Sequence, residues 1–140
     1  MLGGIDSFPL LAVPMFVLSG MIMAKGGISK KIFDVFAFFI GKLTAGMPCA
    51  VIVTCLFYGA ISGSAPATVA AVGSMTIPIL VRLGYDKSFA TAIVAVAGGL
   101  GVIIPPSIPF IMYGMASGES VSDLFMAGVV PGLLLSLIHI

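Results

Sequence analysis

Two breaks in an otherwise membrane-grade apolar chain constrain it more than any other feature. No charged residue occurs from Leu43 to Val81, yet Ile61-Ser62-Gly63-Ser64-Ala65-Pro66-Ala67-Thr68 interrupts that stretch. A second charge-free stretch runs from Ser88 to Gly118 and is interrupted by Ile103-Ile104-Pro105-Pro106-Ser107-Ile108-Pro109. Both interruptions join residues that stop helices to hydroxyls and freed backbone groups. Within a bilayer, non-helical backbone is tolerated only where protein buries it or where it lines a wet cavity. Paired breaks of this kind point to a solute or ion site built from discontinuous helices.

Composition fixes the setting. The chain is 60% hydrophobic and 8% charged, whereas soluble domains carry about 25% charged residues. An all-α integral membrane protein with the lipid bilayer as its surroundings follows. A net charge of +1 gives no electrostatic footing for nucleic acid. Cys49 and Cys55 lie in an apolar stretch without metal-type spacing and read as small buried residues. Met1 to Gly4 lack the basic lead of a cleavable signal peptide, and the apolar run at the other end stops at Ile140 without a polar tail; both ends are those expected of a piece of a longer chain.

Charges divide the sequence into blocks of one membrane domain, 1–140. Residues 7–24 are charge-free and read as a transmembrane helix that Pro9 and Pro14 should kink. Residues 29–42, with Ser29 as a plausible N-cap and apolar Ile32, Phe33, Val35, Phe36, Phe39 and Ile40 at helical spacing, read as an amphipathic interfacial helix or the start of a tilted span. Residues 43–81 fold back as a helical hairpin with its tip at 61–68; its arms suit a re-entrant loop or two spans. Residues 88–118 read as a broken transmembrane helix with its break at 103–109, and 124–140 begin the next span. All six basic residues, Lys25, Lys30, Lys31, Lys42, Arg82 and Lys87, fall in the loops flanking the hairpin, whereas Asp6, Glu119 and Asp123 fall on the other side. The positive-inside rule puts loops 25–42 and 82–87 in the cytoplasm and loop 119–123 in the periplasm.

The breaks carry the chemistry. At the first, helix-end carbonyls and the hydroxyls of Ser62, Ser64 and Thr68 suit a cation, while Ser64 and Pro66 suit the start of the next helix, whose free amides suit an anion. The same small residues, Gly59 and Gly63 included, also suit a tight turn between packed helices. At the second, Pro105, Pro106 and Pro109 have no N–H to give, which frees the carbonyls of Gly101, Val102 and Pro105, and Ser107 adds a hydroxyl. Oxygen-only ligation suits an alkali or alkaline-earth ion rather than a soft metal. No catalyst is expected: the only histidine is His139, no carboxylate lies inside an apolar block, and nothing is placed to activate Ser62.

Taken in order, Asp6-Ser7-Phe8-Pro9-Leu10-Leu11-Ala12-Val13-Pro14-Met15-Phe16, Gly26-Gly27-Ile28-Ser29, the two breaks, Gly84-Tyr85-Asp86 and Ala127-Gly128-Val129-Val130-Pro131-Gly132 make the chain resemble the large membrane subunit of tripartite ATP-independent periplasmic (TRAP) transporters, the DctM-type family. The resemblance covers essentially all of the sequence. It implies an elevator-type ion-transporter fold in the bacterial inner membrane, of which this chain holds one repeat. It also implies sodium-coupled import of organic acids such as C4-dicarboxylates or sialic acids, with sodium as coupling ion and no other cofactor. The implied partners are a small membrane subunit and a periplasmic substrate-binding protein. Sodium would lie between Ser62, Gly63 and Ser64 and the break residues Gly101, Val102, Pro105 and Ser107, with Ser64, Ala65, Pro66, Thr68 and Pro106 near the substrate. Many members carry an acidic residue shortly after Ser-Gly-Ser where Pro66-Ala67-Thr68 stands here. The rival readings are a binding-protein-independent carrier of the wider ion-transporter superfamily and a non-transporting assembly module or truncated fragment. With one repeat the chain holds half of the implied site, so proteoliposomes containing only these 140 residues should show no sodium-driven uptake; uptake would contradict the reading.

Overall fold

The computed structural model describes residues 8–140, all helix and connecting turns with no strand among them. The helices are α1 (Phe8–Lys25), α2 (Ile28–Ile40), α3 (Gly46–Ser62), α4 (Ala65–Arg82), α5 (Lys87–Leu100), α6 (Ile108–Ser117) and α7 (Val121–His139). Asp6, assigned above to the acidic side, lies outside the described residues.

Glycine and proline set most of the corners. Gly27 holds φ 72° at the start of α2, a left-handed conformation that a side chain would strain, and α1 and α2 meet there at 69°. Ser29 is therefore not the N-cap expected of it; it lies inside α2 and is buried. α1 remains one helix through Pro14. Between α4 and α5, Gly84 turns at φ 94°, and Asp86 caps α5 by accepting from the Ser88 and Phe89 amides at 2.9 and 3.3 Å. α7 begins inside the acidic loop, with Ser120 accepting from the Asp123 amide at 3.4 Å.

Helices α3, α4 and α5 form the core. Ala50, Val51, Ile52, Cys55 and Tyr58 of α3 pack with Val72 and Leu80 of α4 and with Ala90, Val94, Ala97 and Leu100 of α5. Lipid tails are as apolar as leucine, so what draws such helices together is close van der Waals contact through small residues. A Cβ placed on Gly59 would stand 2.4 Å from the Cα of Gly101, and one on Gly98 would stand 2.3 Å from Val69 Cγ2. On the other side, Gly128 and Gly132 of α7 take up Ile103, Ile104 and Phe110. The outer surface is apolar: Met15 and Ile22 of α1 and Met126, Leu137 and Ile138 of α7 are exposed. Among the described helices α4 and α7 are long and apolar enough to cross a membrane, and the bent α1–α2 pair would make a third span.

Both breaks differ in extent from the sequence expectation. The first, expected over 61–68, is the two residues Gly63 and Ser64, because Ser62 still closes a helical turn and Pro66, in the first turn of α4, has no N–H to lose. The second is 101–107 rather than 103–109: α5 stops in its glycines, and Pro109 falls in the first turn of α6, where proline is tolerated.

The Gly59–Gly101 contact yields a prediction. Gly59→Ala inserts a methyl against backbone and should cost about 1–3 kcal/mol, as overpacking does. Gly99→Ala meets nothing within 4 Å and should be neutral or stabilising by up to about 1 kcal/mol. Thermal unfolding of the complete permease in detergent should separate the two, and equal midpoints would contradict the close approach.

Candidate functional site

The hairpin tip and the helix break are held against each other. Gly63 ends α3 in the left-handed region at φ 62°, with its amide donating to the Gly59 carbonyl at 2.7 Å. A Cβ there would lie 3.2 Å from both the Pro106 carbonyl oxygen and Ile108 Cγ1, so glycine is required by conformation and by space. The Gly63 carbonyl accepts from the Ile108 amide at 3.3 Å, joining the tip directly to the start of α6.

A knot of hydroxyl and carbonyl oxygens sits at the tip. Ser62 and Thr68 are fully buried and their hydroxyl oxygens lie 3.1 Å apart. Both reach the Ser64 carbonyl, Thr68 donating at 2.9 Å and Ser62 at 3.4 Å. Ser62 Oγ also lies 3.5 Å from the Gly59 carbonyl and accepts from the Ser64 amide at 3.4 Å. Ser64 occupies the N-cap position of α4, but its side chain makes no capping hydrogen bond; its carbonyl, not its hydroxyl, is the group engaged.

On the break side, Ser107 is fully buried and caps α6 by accepting from the Phe110 amide at 3.3 Å. Among the described residues no backbone N–H donates to the carbonyls of Gly101, Val102 or Pro105. Pro105 and Pro106 are joined by a cis peptide bond. Beside the tip, Gly63, Ser64, Ala65, Pro66, Val102, Ile108 and Pro109 line a cleft of about 210 Å³.

The residues singled out from sequence thus fall in or beside the two breaks, and the cleft is not lined as expected: Gly63 joins Ser64, Ala65 and Pro66 there, and Pro106 does not line it. Thr68, named both as a cation-side hydroxyl and as a neighbour of the substrate, points into the buried knot and does not line the cleft, whereas Val102, expected among the cation ligands, lines it. Sequence reasoning missed Tyr58, whose hydroxyl donates to the Gly20 carbonyl, and Gly20, whose Cβ would stand 2.9 Å from that of Ser62. The one local signal was a lone tyrosine a single turn before Ser62 in an apolar helix.

The four helix ends at this place are sorted by polarity. The C-terminal ends of α3 and α5 meet where Gly59 abuts Gly101, and the N-terminal ends of α4 and α6 flank the cleft. Each end carries roughly half a charge, negative at C-termini and positive at N-termini. The arrangement therefore offers oxygens in a negative field next to amides in a positive one, with no carboxylate or imidazole in either. Among the described residues no three His, Cys, Asp or Glu side chains gather as a metal cluster would require.

The hydroxyl knot yields a prediction of its own. Thr68→Val keeps the shape but removes the bonds to Ser62 and Ser64, and should cost about 1–3 kcal/mol, whereas Thr68→Ser should retain most of the stability. Unfolding midpoints of the two variants test this, and a fully stable Thr68→Val would contradict the knot.

Comparison with known proteins shows the family of the chain. The family described as "Tripartite ATP-independent periplasmic transporter, DctM component" matches residues 1–140. The isethionate TRAP transporter permease protein DctMQ of Oleidesulfovibrio alaskensis is 53% identical over 133 residues, 95% of this chain and 21% of that protein. The C4-dicarboxylate TRAP transporter large permease protein DctM of Pseudomonas aeruginosa is 47% identical over 133 residues, 95% of this chain and 31% of that protein. The ectoine TRAP transporter large permease protein TeaC of Halomonas elongata is 39% identical over 135 residues, 96% of this chain and 32% of that protein. The chain thus spans a third or less of each of these relatives.

Proposed function

The chain belongs to the DctM-component family of TRAP transporters, and from that premise we propose that it forms one of two half-sites in a sodium-coupled permease for small organic acids. The observation that carries the proposal is the contact of tip and break, which pairs two helix C-terminal ends with buried hydroxyls. Sodium is a hard ion that takes oxygen ligands, and the group fits the oxygens present: Ser62 Oγ, Thr68 Oγ1, Ser107 Oγ, the Ser64 and Gly59 carbonyls, and the carbonyls that no described backbone N–H meets at the break. Two C-terminal half-charges offset one cation without any carboxylate. The amide ends of α4 and α6 at the neighbouring cleft suit the acid group of the substrate.

In this reading sodium clamps the hairpin tip to the broken helix. The clamp organises the anion cleft, and the unit then crosses the membrane as a body. The relatives' names include isethionate, C4-dicarboxylate and ectoine, so the substrate class proposed here is no narrower than small organic solutes carrying an acid group. A small membrane subunit and a periplasmic substrate-binding protein complete the transporter in the bacterial inner membrane. The basic loops that hold Lys30 and Arg82 face the cytoplasm.

In this reading Ser62 and Ser107 matter more than Ser64, whose carbonyl and not hydroxyl is engaged. Ser62→Ala and Ser107→Ala should each raise the sodium concentration for half-maximal uptake by about tenfold, the equivalent of one lost oxygen ligand. Ser64→Ala, which keeps the engaged carbonyl, should change it far less. The measurement is uptake of an organic acid into proteoliposomes holding the complete permease with its partner proteins. Identical sodium activation in all three variants and the wild type would sink the proposed site.

A further inference from the structure

The ligand-bearing serine of the tip is held from outside the hairpin. Tyr58 and Ser62 lie one turn apart on α3, so they share a face, and that face meets α1 at Gly20. The Tyr58 hydroxyl is buried and donates to the Gly20 carbonyl. Gly20 is itself buried, and a Cβ on it would stand 2.9 Å from Ser62 Cβ and 3.5 Å from Ser62 Cα. Nothing about the backbone at Gly20 demands glycine, since it sits inside a regular helix without a positive φ. What demands it is the space taken by Ser62. Next to this contact α1 and α4 part around a cleft of about 340 Å³ lined by Ala67, Ala70 and Ala71. The closest approach of α1 to Ser62 is at Gly20.

We propose that α1 is the third wall of the cation site, with Gly20 and Tyr58 as positioning residues that fix Ser62 against Thr68. The inference rests on the cation reading of the knot given above. Ser62 is the hub of that knot, touching Thr68 Oγ1, two carbonyls and one amide. Any displacement of α1 therefore moves a ligand oxygen. Because binding and conformation are linked reciprocally, sodium bound at the tip in turn tightens α1 on the hairpin. The first helix, remote in sequence from both breaks, thereby sets the affinity for the coupling ion.

The test uses the complete permease with its partner proteins in proteoliposomes and compares Gly20→Ala, Tyr58→Phe and Gly73→Ala. Tyr58→Phe keeps the ring and its packing. Gly73→Ala is a matched control, since its Cβ would meet Val94 Cγ1 at 3.0 Å away from the tip. Gly20→Ala and Tyr58→Phe should raise the sodium concentration for half-maximal uptake about fivefold or more, the equivalent of one hydrogen bond. Substrate half-saturation at saturating sodium should stay the same, and Gly73→Ala should leave the sodium curve in place. An unchanged sodium curve in both test variants, or an equal shift in Gly73→Ala, overturns the inference and leaves the cation site standing. A wild-type permease without sodium dependence overturns the cation reading itself, and this inference with it.

Discussion

The fold depends on a debt of backbone hydrogen bonds. A helix that stops inside an apolar layer leaves carbonyls or amides without partners, and each costs several kcal/mol if nothing meets it. This chain stops helices twice, after Ser62 and after Leu100, and offsets the cost by bringing the stops together. Gly59 and Gly101 abut at backbone distance, and the Gly63 carbonyl takes the Ile108 amide. A side chain at either glycine of that contact would force the stops apart and strand the groups they share.

Given that contact, the polarity of the site follows. Two chain segments that end and restart at one place bring two negative and two positive helix ends there. The buried hydroxyls of Ser62, Thr68 and Ser107 then need no charged partner: Ser62 and Thr68 reach helix-end carbonyls, and Ser107 takes an amide at the start of α6. A cation held as proposed, in an oxygen-lined place without a carboxylate, would meet no competing proton across the physiological range. That suits ion coupling better than catalysis, and it agrees with membership of a family of transport permeases.

The breaks themselves were legible in the sequence because their causes are local. Proline lacks a donor, glycine admits a left-handed turn, and no membrane helix needs Pro105, Pro106 and Pro109 together. Their extent was less legible. Ser62 stays helical and Pro109 is absorbed into the first turn of α6, since neither violates a hydrogen bond where it sits. Ser29 failed as a cap because the corner is made by Gly27 one residue before the helix begins. Thr68 was legible as a hydroxyl beside Ser62 but not as buried with it: its spacing across a two-residue turn brings the two hydroxyls together away from the cleft. Gly20 was not legible at all, and Tyr58 only as a lone tyrosine one turn before Ser62. Their importance arises from a contact between residues 38 positions apart, which no periodicity or motif within either helix encodes.

The central claim is that the tip and the break form one cation site. Amide hydrogen exchange of the complete permease, titrated with sodium and with potassium as control, tests it most directly. The account predicts that residues 59–68 and 101–108 gain protection together, with one shared sodium midpoint and no response to potassium. Protection confined to one of the two segments, or equal effects of the two ions, would contradict it.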